Sequence, residues 1–129
     1  MPVHYTLDTD RNIIFTEATG PVTVSEISNY LEALLVDDRI TFGSTEVFSL
    51  VHATDLHMSY SEMGVFGQIW LKYREKIGNR VIIIAPDDIS YGMFRMLATV
   101  VSFEDPDAEH SFTIVRSDGE CRKILDKDS

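Results

Sequence analysis

One cysteine in 129 residues, Cys121, excludes an internal disulfide and any multi-cysteine zinc site. Long apolar runs are missing as well. The longest, Val81-Ile82-Ile83-Ile84-Ala85, falls far short of the ~18 residues that a membrane-spanning helix needs. The opening Met1-Pro2-Val3-His4-Tyr5 has neither a basic region nor an apolar stretch, so no secretory signal is expected. Positive charge is scarce: 11 Lys and Arg against 21 Asp and Glu leave a net charge of −10. Phosphate neutralisation depends on Lys and Arg, so this balance argues against a nucleic-acid partner. Glycine-rich phosphate loops are absent too. Gly64 and Gly67 lie inside a helical stretch and match no nucleotide fingerprint; close packing against a neighbouring element explains them. The expectation is a globular cytoplasmic protein with no membrane span, no nucleic acid, no cofactor and no metal.

What is present suffices for one domain over residues 1–129, with 44% hydrophobic residues to build a core without staples. The charge is uneven, −8 over residues 1–64 and −2 over 65–129. Lys72, Arg74, Lys76 and Arg80 crowd one stretch, where they complement the negative end of a helix or form a basic docking patch.

The hydrophobic pattern sets the element order. Val3, Tyr5 and Leu7 alternate with polar residues as in a half-buried strand, Asp8-Thr9-Asp10-Arg11 is turn chemistry, and Ile13-Ile14-Phe15 follows as a second, antiparallel strand. Gly20-Pro21 is expected to stop it. Thr23-Val24-Ser25-Glu26 reads as a capping box ahead of Val24, Ile27, Tyr30, Leu31, Leu34 and Leu35 at helical spacing, ending near Asp37-Asp38. Val47-Phe48-Ser49-Leu50-Val51 is a short apolar strand. A second box, Ser59-Tyr60-Ser61-Glu62, opens a helix with Met63, Phe66, Ile69, Trp70, Tyr73 and Ile77 on one face and Gly78 at its end. Val81–Ala85 is a central strand. Pro86-Asp87-Asp88 opens a third helix, and Pro106 lies beyond its end. Phe112–Val115 is a fifth strand, and Ser117-Asp118-Gly119-Glu120 caps a last helix through Ile124 and Leu125. The fold class is therefore α/β: a mixed five-stranded sheet opened by an antiparallel hairpin, then βα units, with about four helices.

Chemistry-bearing residues are few. His52, Asp55 and His57 have metal-ligand side chains at the C-terminal end of a strand, where open α/β sheets bind ligands. A metal needs three ligands backed by a second shell, and positions five apart on a regular strand face opposite sides, so metal binding is not expected. An enzyme pairing Asp55 with His52 or His57 is the third of three readings weighed. Cys121 sits beside Arg122 and Lys123, which could lower its pKa, and also on an apolar face with Leu125; a half-buried structural thiol fits best. Ser59 and Ser61 could carry a phosphate at a helix N-terminus, although the cap explains Ser59 completely. Tyr60, Met63, Phe66, Trp70 and Tyr73, with Tyr91, Met93, Phe94 and Met96, supply more large apolar groups than one sheet face covers. The third helix is apolar nearly all round from Met93 to Phe103, so one of its faces must meet something else: a second copy or an apolar ligand.

The element order, the strand running into Asp55-Leu56, and above all Tyr91-Gly92-Met93-Phe94-Arg95-Met96 resemble the SpoIIAA-like, STAS-related family of small bacterial proteins. The hexapeptide looks like that family's Tyr-Gly-Met-x-Arg-Met-Phe segment, and Ser117-x-x-Glu120 is similar to its acidic-capped terminal helix. The resemblance implies a domain of four helices on a mixed sheet without an established enzymatic activity. STAS relatives are anti-sigma-factor antagonists switched by phosphorylation of a serine in the loop before the second helix, here Asp55–Ser61. Their motif is an Asp-Ser pair closely followed by Gly. This chain departs from it: no Asp directly precedes Ser59 or Ser61, and Gly64 comes three residues after Ser61. Lipid-carrying CRAL-TRIO relatives of the fold suggest an apolar pocket.

The sequence thus points to a non-enzymatic, regulatory module acting by protein–protein contact. It is expected to form a homodimer through its second and third helices, or to engage an unidentified protein partner. A carrier or sensor of a small apolar, lipid-like ligand is the alternative. Asp55, Ser59, Ser61, Tyr91, Met93 and Phe94 are the candidate ligand or partner contacts, and a charge at Met93 or Phe94 is expected to give a monomer.

Overall fold

A computed structural model describes residues 3–77, 80–107 and 112–127, with the side chains of 57, 60, 76, 77 and 104 left aside. Strands β1 (Val3–Asp8) and β2 (Ile13–Thr23) form the opening hairpin, and helix α1 (Val24–Val36) leads to β3 (Thr45–His57). Helix α2 (Tyr60–Ile77), β4 (Val81–Ile84), α3 (Asp88–Glu104), β5 (Phe112–Val115) and α4 (Asp118–Lys127) follow. The sheet order is β1-β2-β3-β4-β5, with β1 antiparallel to β2 and every later pair parallel. A sheet that adds each strand on the same side has no reversal of strand order, so the crevice that such a reversal opens does not form.

Local chemistry sets the element ends. Asn12 turns the hairpin with φ 55°, a value that asparagine tolerates, and its side-chain oxygen accepts from Ser44 Oγ at 2.7 Å. The hairpin is thereby tied to the start of β3. Both expected capping boxes are present. Glu26 N donates to Thr23 Oγ1 at 3.3 Å, while Ser59 and Glu62 close both arms, Glu62 N to Ser59 Oγ at 3.2 Å and Ser59 N to Glu62 Oε1 at 3.0 Å. Asp87 caps α3 through Ser90 N at 2.8 Å, and Ser117 caps α4 through Glu120 N at 3.2 Å. Gly78, the expected end of α2, lies outside the described residues.

Two strands correct the sequence reading. β2 does not stop at Gly20-Pro21 but runs to Thr23. Gly20 takes φ 66°, the ladder with β3 shifts register between Gly20 and Pro21, and the strand continues past the irregularity. The described part of β1 ends opposite Ala18, so the missing N–H of Pro21 interrupts no described pairing on that side. β3 is 13 residues long rather than five, because Thr45-Glu46 and the segment after Val51 pair with β2 as well.

The main core lies on one sheet face. There α1 (Ile27, Leu31, Leu34), α2 (Met63, Phe66, Trp70) and α3 (Phe94, Leu97, Val101) pack on Ile14, Phe48, Leu50 and Ile83. On the opposite face only α4, among the described helices, packs: Cys121, Ile124 and Leu125 meet Ile13, Val47, Ile82, Ile84 and Val115. Strand β4 is covered on both sides and all four of its residues are buried. A Cβ at Gly67 would approach Val101 Cγ2 to 3.3 Å, so glycine there admits the close contact of α2 with α3. Gly64 and Gly92 face open space, and the packing role expected of Gly64 does not apply.

Candidate functional site

The serine loop and the hexapeptide meet at the C-terminal edge of the sheet. A cleft of about 470 Å³ opens there, lined by Asp55 of β3, Asp87, Asp88, Ile89 and Ser90 at the start of α3, and the apolar Leu50 and Leu56. Its carboxylates are already engaged. Asp87 holds Ser90 N, and this backbone hydrogen bond lowers its pKa. Asp88 Oδ1 pairs with Arg116 Nη2 at 2.8 Å. The guanidinium of Arg116 also lies 4.2 Å from the centroid of the Tyr91 ring, and Arg95 lies 5.9 Å from it on the same helix. Tyr91 is therefore a half-buried platform between two cations, a structural joint between α3 and the end of β5.

His52 is not brought to this cleft. It lies beside Glu17 of β2, 3.2 Å away, and lines a different depression of about 430 Å³ between α4 and the hairpin. No group of three or more His, Cys, Asp or Glu placed to hold a metal occurs among the described residues. The His57 side chain lies outside the description. Cys121 is buried at 3% exposure, and burial pushes its thiol up, outweighing Arg80 and Arg122. The lowering that its basic neighbours suggested is overturned by desolvation.

Ser59 and Ser61 are both exposed at the start of α2. A phosphate on Ser59 would meet the Glu62 carboxylate that already closes the capping box, a like-charge contact. Ser61 lies one residue into the helix, outside that hydrogen-bonded pair.

The candidate partner contacts on α3 separate by face. Phe94 is 3% exposed, with its ring 6.5 Å from that of Phe48 in the core; it is unable to touch a partner. Met93 is half-buried and Met96 is 49% exposed. Neighbouring residues that the sequence reading did not single out complete a pattern. Ile89, Met93, Met96, Val100 and Phe103 recur at steps of four, three, four and three, one continuous stripe along α3. Ile89 is 73% and Phe103 80% exposed. Every residue of the stripe is uncharged. Its signal was legible in the spacing, but the core stripe Ser90, Phe94, Leu97 and Val101 interleaves with it, so the helix reads as apolar all round.

The basic stretch is also divided. Arg74 is half-buried and bonds Asp105 at the end of α3, while Lys72 is exposed. One member of the proposed patch is thus an internal tie.

Buried acidity was missed altogether. Glu46 is 2% exposed on β3, where burial raises its pKa to about 7 despite a hydrogen bond from Tyr30. Its alternation with Phe48 and Leu50 was the available signal.

No protein-family model matches the chain, and no curated protein matches its sequence. Solved structures do share its architecture. SpoIIAA, an anti-sigma factor antagonist in its unphosphorylated form, aligns over 98% of this chain and 96% of its own with a TM-score of 0.58 at 12% identity. An uncharacterised protein of the DUF3478 family with a SpoIIAA-like fold, from Shewanella loihica PV-4, aligns over 95% and 93% with a TM-score of 0.57 at 16% identity. The chain has a SpoIIAA-like fold.

Proposed function

We propose that this protein is a non-enzymatic regulatory module of the cytoplasm that acts by protein–protein contact and pairs with a second copy of itself through α3, beside α2. The stripe Ile89–Met93–Met96–Val100–Phe103 carries this reading. An uncharged apolar stripe at alternating three- and four-residue steps is the seam by which one helix packs against another. Its large exposed residues are costly to leave in water, and methionine adapts to an imperfectly matched partner. The fold adds support, since SpoIIAA is an anti-sigma factor antagonist and so acts on another protein. No helix among the described residues is long and apolar enough to cross a membrane.

The carrier alternative has less behind it. The apolar void between α1, α2 and the sheet measures about 20 Å³, whereas ligand sites span ~300–1,000 Å³. Catalysis by Asp55 with His52 finds the two residues lining different depressions.

Sedimentation velocity tests the pairing. The wild-type chain is expected to sediment as a dimer at micromolar concentration. Met96→Asp combined with Phe103→Asp is expected to give a monomer with unchanged circular dichroism and melting temperature. A wild-type monomer at that concentration, or a dimer that survives both charges, overturns the reading.

A further inference from the structure

Glu46 lies at the middle of the sheet, on the face that the three helices cover. The groups packed round it come from six elements. β2 brings Thr16, α1 brings Tyr30, and α2 brings Trp70 and Tyr73. β4, β5 and α3 bring Val81, Phe112 and Phe94, which neither titrate nor carry charge. Tyr30 Oη donates to Glu46 Oε2. With the phenol's one hydrogen committed there, the contact of 2.5 Å between Thr16 Oγ1 and Tyr30 Oη has the threonine as donor.

Two further donors are stranded in the same region. Trp70 Nε1 and Tyr73 Oη are buried and have no protein hydrogen-bond partner. Buried polar groups are ordinarily satisfied, by protein or by an internal water. Trp70, Tyr30 and Glu46 all border the void of about 20 Å³, and ~10–15 Å³ suffices for one water molecule. The rest of that wall is apolar, so a guest finds its partners in these three groups alone among the described residues.

We infer that Glu46, Trp70 and one water molecule between them form a buried proton-binding site that ties α1 and α2 to the acidity of the surroundings. The water accepts from the indole N–H and donates to the carboxyl. Deprotonation releases the proton to bulk solvent and leaves the charge on the carboxylate, held by the Tyr30 hydroxyl and the water. Those two donors make a buried charge tolerable, while burial disfavours it. The balance sets the proton affinity near neutrality, with the Glu46 pKa at about 7. Tyr73 stays protonated throughout, since burial and the Glu46 carboxylate both raise its pKa. This site is independent of the pairing proposed through α3.

Trp70 is the chain's one tryptophan, which makes the site observable. In nuclear magnetic resonance its indole N–H signal is expected to move through a single midpoint near 7 in the wild type. The same proton is expected to show a cross-relaxation contact with a long-lived water. In Glu46→Gln, which keeps an acceptor for Tyr30 but is unable to ionise, the indole signal is expected to stay still. Four histidines titrate in the same range, so a titration that persists in Glu46→Gln overturns the inference. A static wild-type indole, or one without a water contact, overturns it as well. Should Glu46→Gln not fold, the carbon-13 signal of the wild-type Glu46 carboxyl reads the same equilibrium. A midpoint at the ordinary value near 4.5 then refutes the site. Tyr30→Phe removes a donor to the ionised form and is expected to move the midpoint upward by about one unit, a tenfold change in proton affinity.

Discussion

The two faces of the sheet are made by the same five strands and finished differently. On one face three helices of 13, 18 and 17 residues close over a continuous core. On the other a single helix of 10 residues covers β4 and β5, and the hairpin side stays open. Phe15, at 37% exposure, and Val51, at 38%, line that open groove beside Glu17 and His52. Folding free energy scales with apolar area removed from water, so the closed face carries most of it. The open face is where residue identity is released from packing. Polar groups there pair at the surface, as Glu17 does with His52, whereas the polar groups of the closed face form an internal network round Glu46.

The largest effect separates two faces of one helix. Phe94→Asp puts a charge into the closed core and is expected to cost more than about 4 kcal/mol, enough to unfold the chain. Met96→Asp, two residues on, is expected to leave the melting temperature of the monomer unchanged within a few degrees. Thermal denaturation of both variants checks this. Equal losses would mean that the exposed stripe belongs to the core.

Next come truncations on opposite faces of the sheet. Leu34→Ala, at a fully buried position of α1, is expected to cost about 2–5 kcal/mol. Leu125→Ala on the partly covered α4 is expected to cost about 1 kcal/mol or less. Urea denaturation midpoints measure both, and similar values would show that the small helix anchors its face as firmly as three helices anchor theirs.

The acids of the two faces give the third contrast. Glu46 has its pKa raised from 4.5 to about 7, so the folded state holds a proton that the unfolded state releases. Its contribution is fully present below the ordinary value, falls as pH rises toward 7, and is constant above that. At ~1.4 kcal/mol per unit the fall amounts to about 3 kcal/mol. Glu46→Gln removes this slope, and urea denaturation across that range measures it against the wild type. Glu17→Gln on the open face breaks an exposed pair and is expected to change stability by less than about 1 kcal/mol.

Most of the fold was legible because its signals are local. Both capping boxes, the extent of β5 and the order of strands and helices follow from spacing within a few residues. What escaped depends on neighbours in space. Gly20-Pro21 breaks a strand by propensity, yet β3 continues to pair with β2 across the irregularity. Glu46 reads as the polar flank of an apolar strand until Tyr30 arrives from α1 to satisfy it. The segment Tyr91–Met96 was rightly singled out, but six consecutive residues span every side of a helix. Adjacency therefore placed Phe94 among the contacts, although its partners at steps of three and four, Leu97 and Val101, belong to the core.

The smallest contrast uses the same chemistry on each face. Ser59 caps α2 and Ser117 caps α4, each accepting from the amide three residues on at 3.2 Å. Removing such a cap costs about 1 kcal/mol of helix stability. For Ser59→Ala that loss is expected in the global unfolding free energy, because α2 is packed between α1 and α3 and opens only with the whole core. For Ser117→Ala the loss is expected to stay within α4. Amide exchange over 118–127 speeds up while the global midpoint holds, since a helix resting on one cluster can detach while the core stays closed. Hydrogen exchange read against urea denaturation distinguishes the two. A global loss from Ser117→Ala would show that the open face and the closed face unfold as one unit, and the division between them would be one of coverage and not of cooperativity.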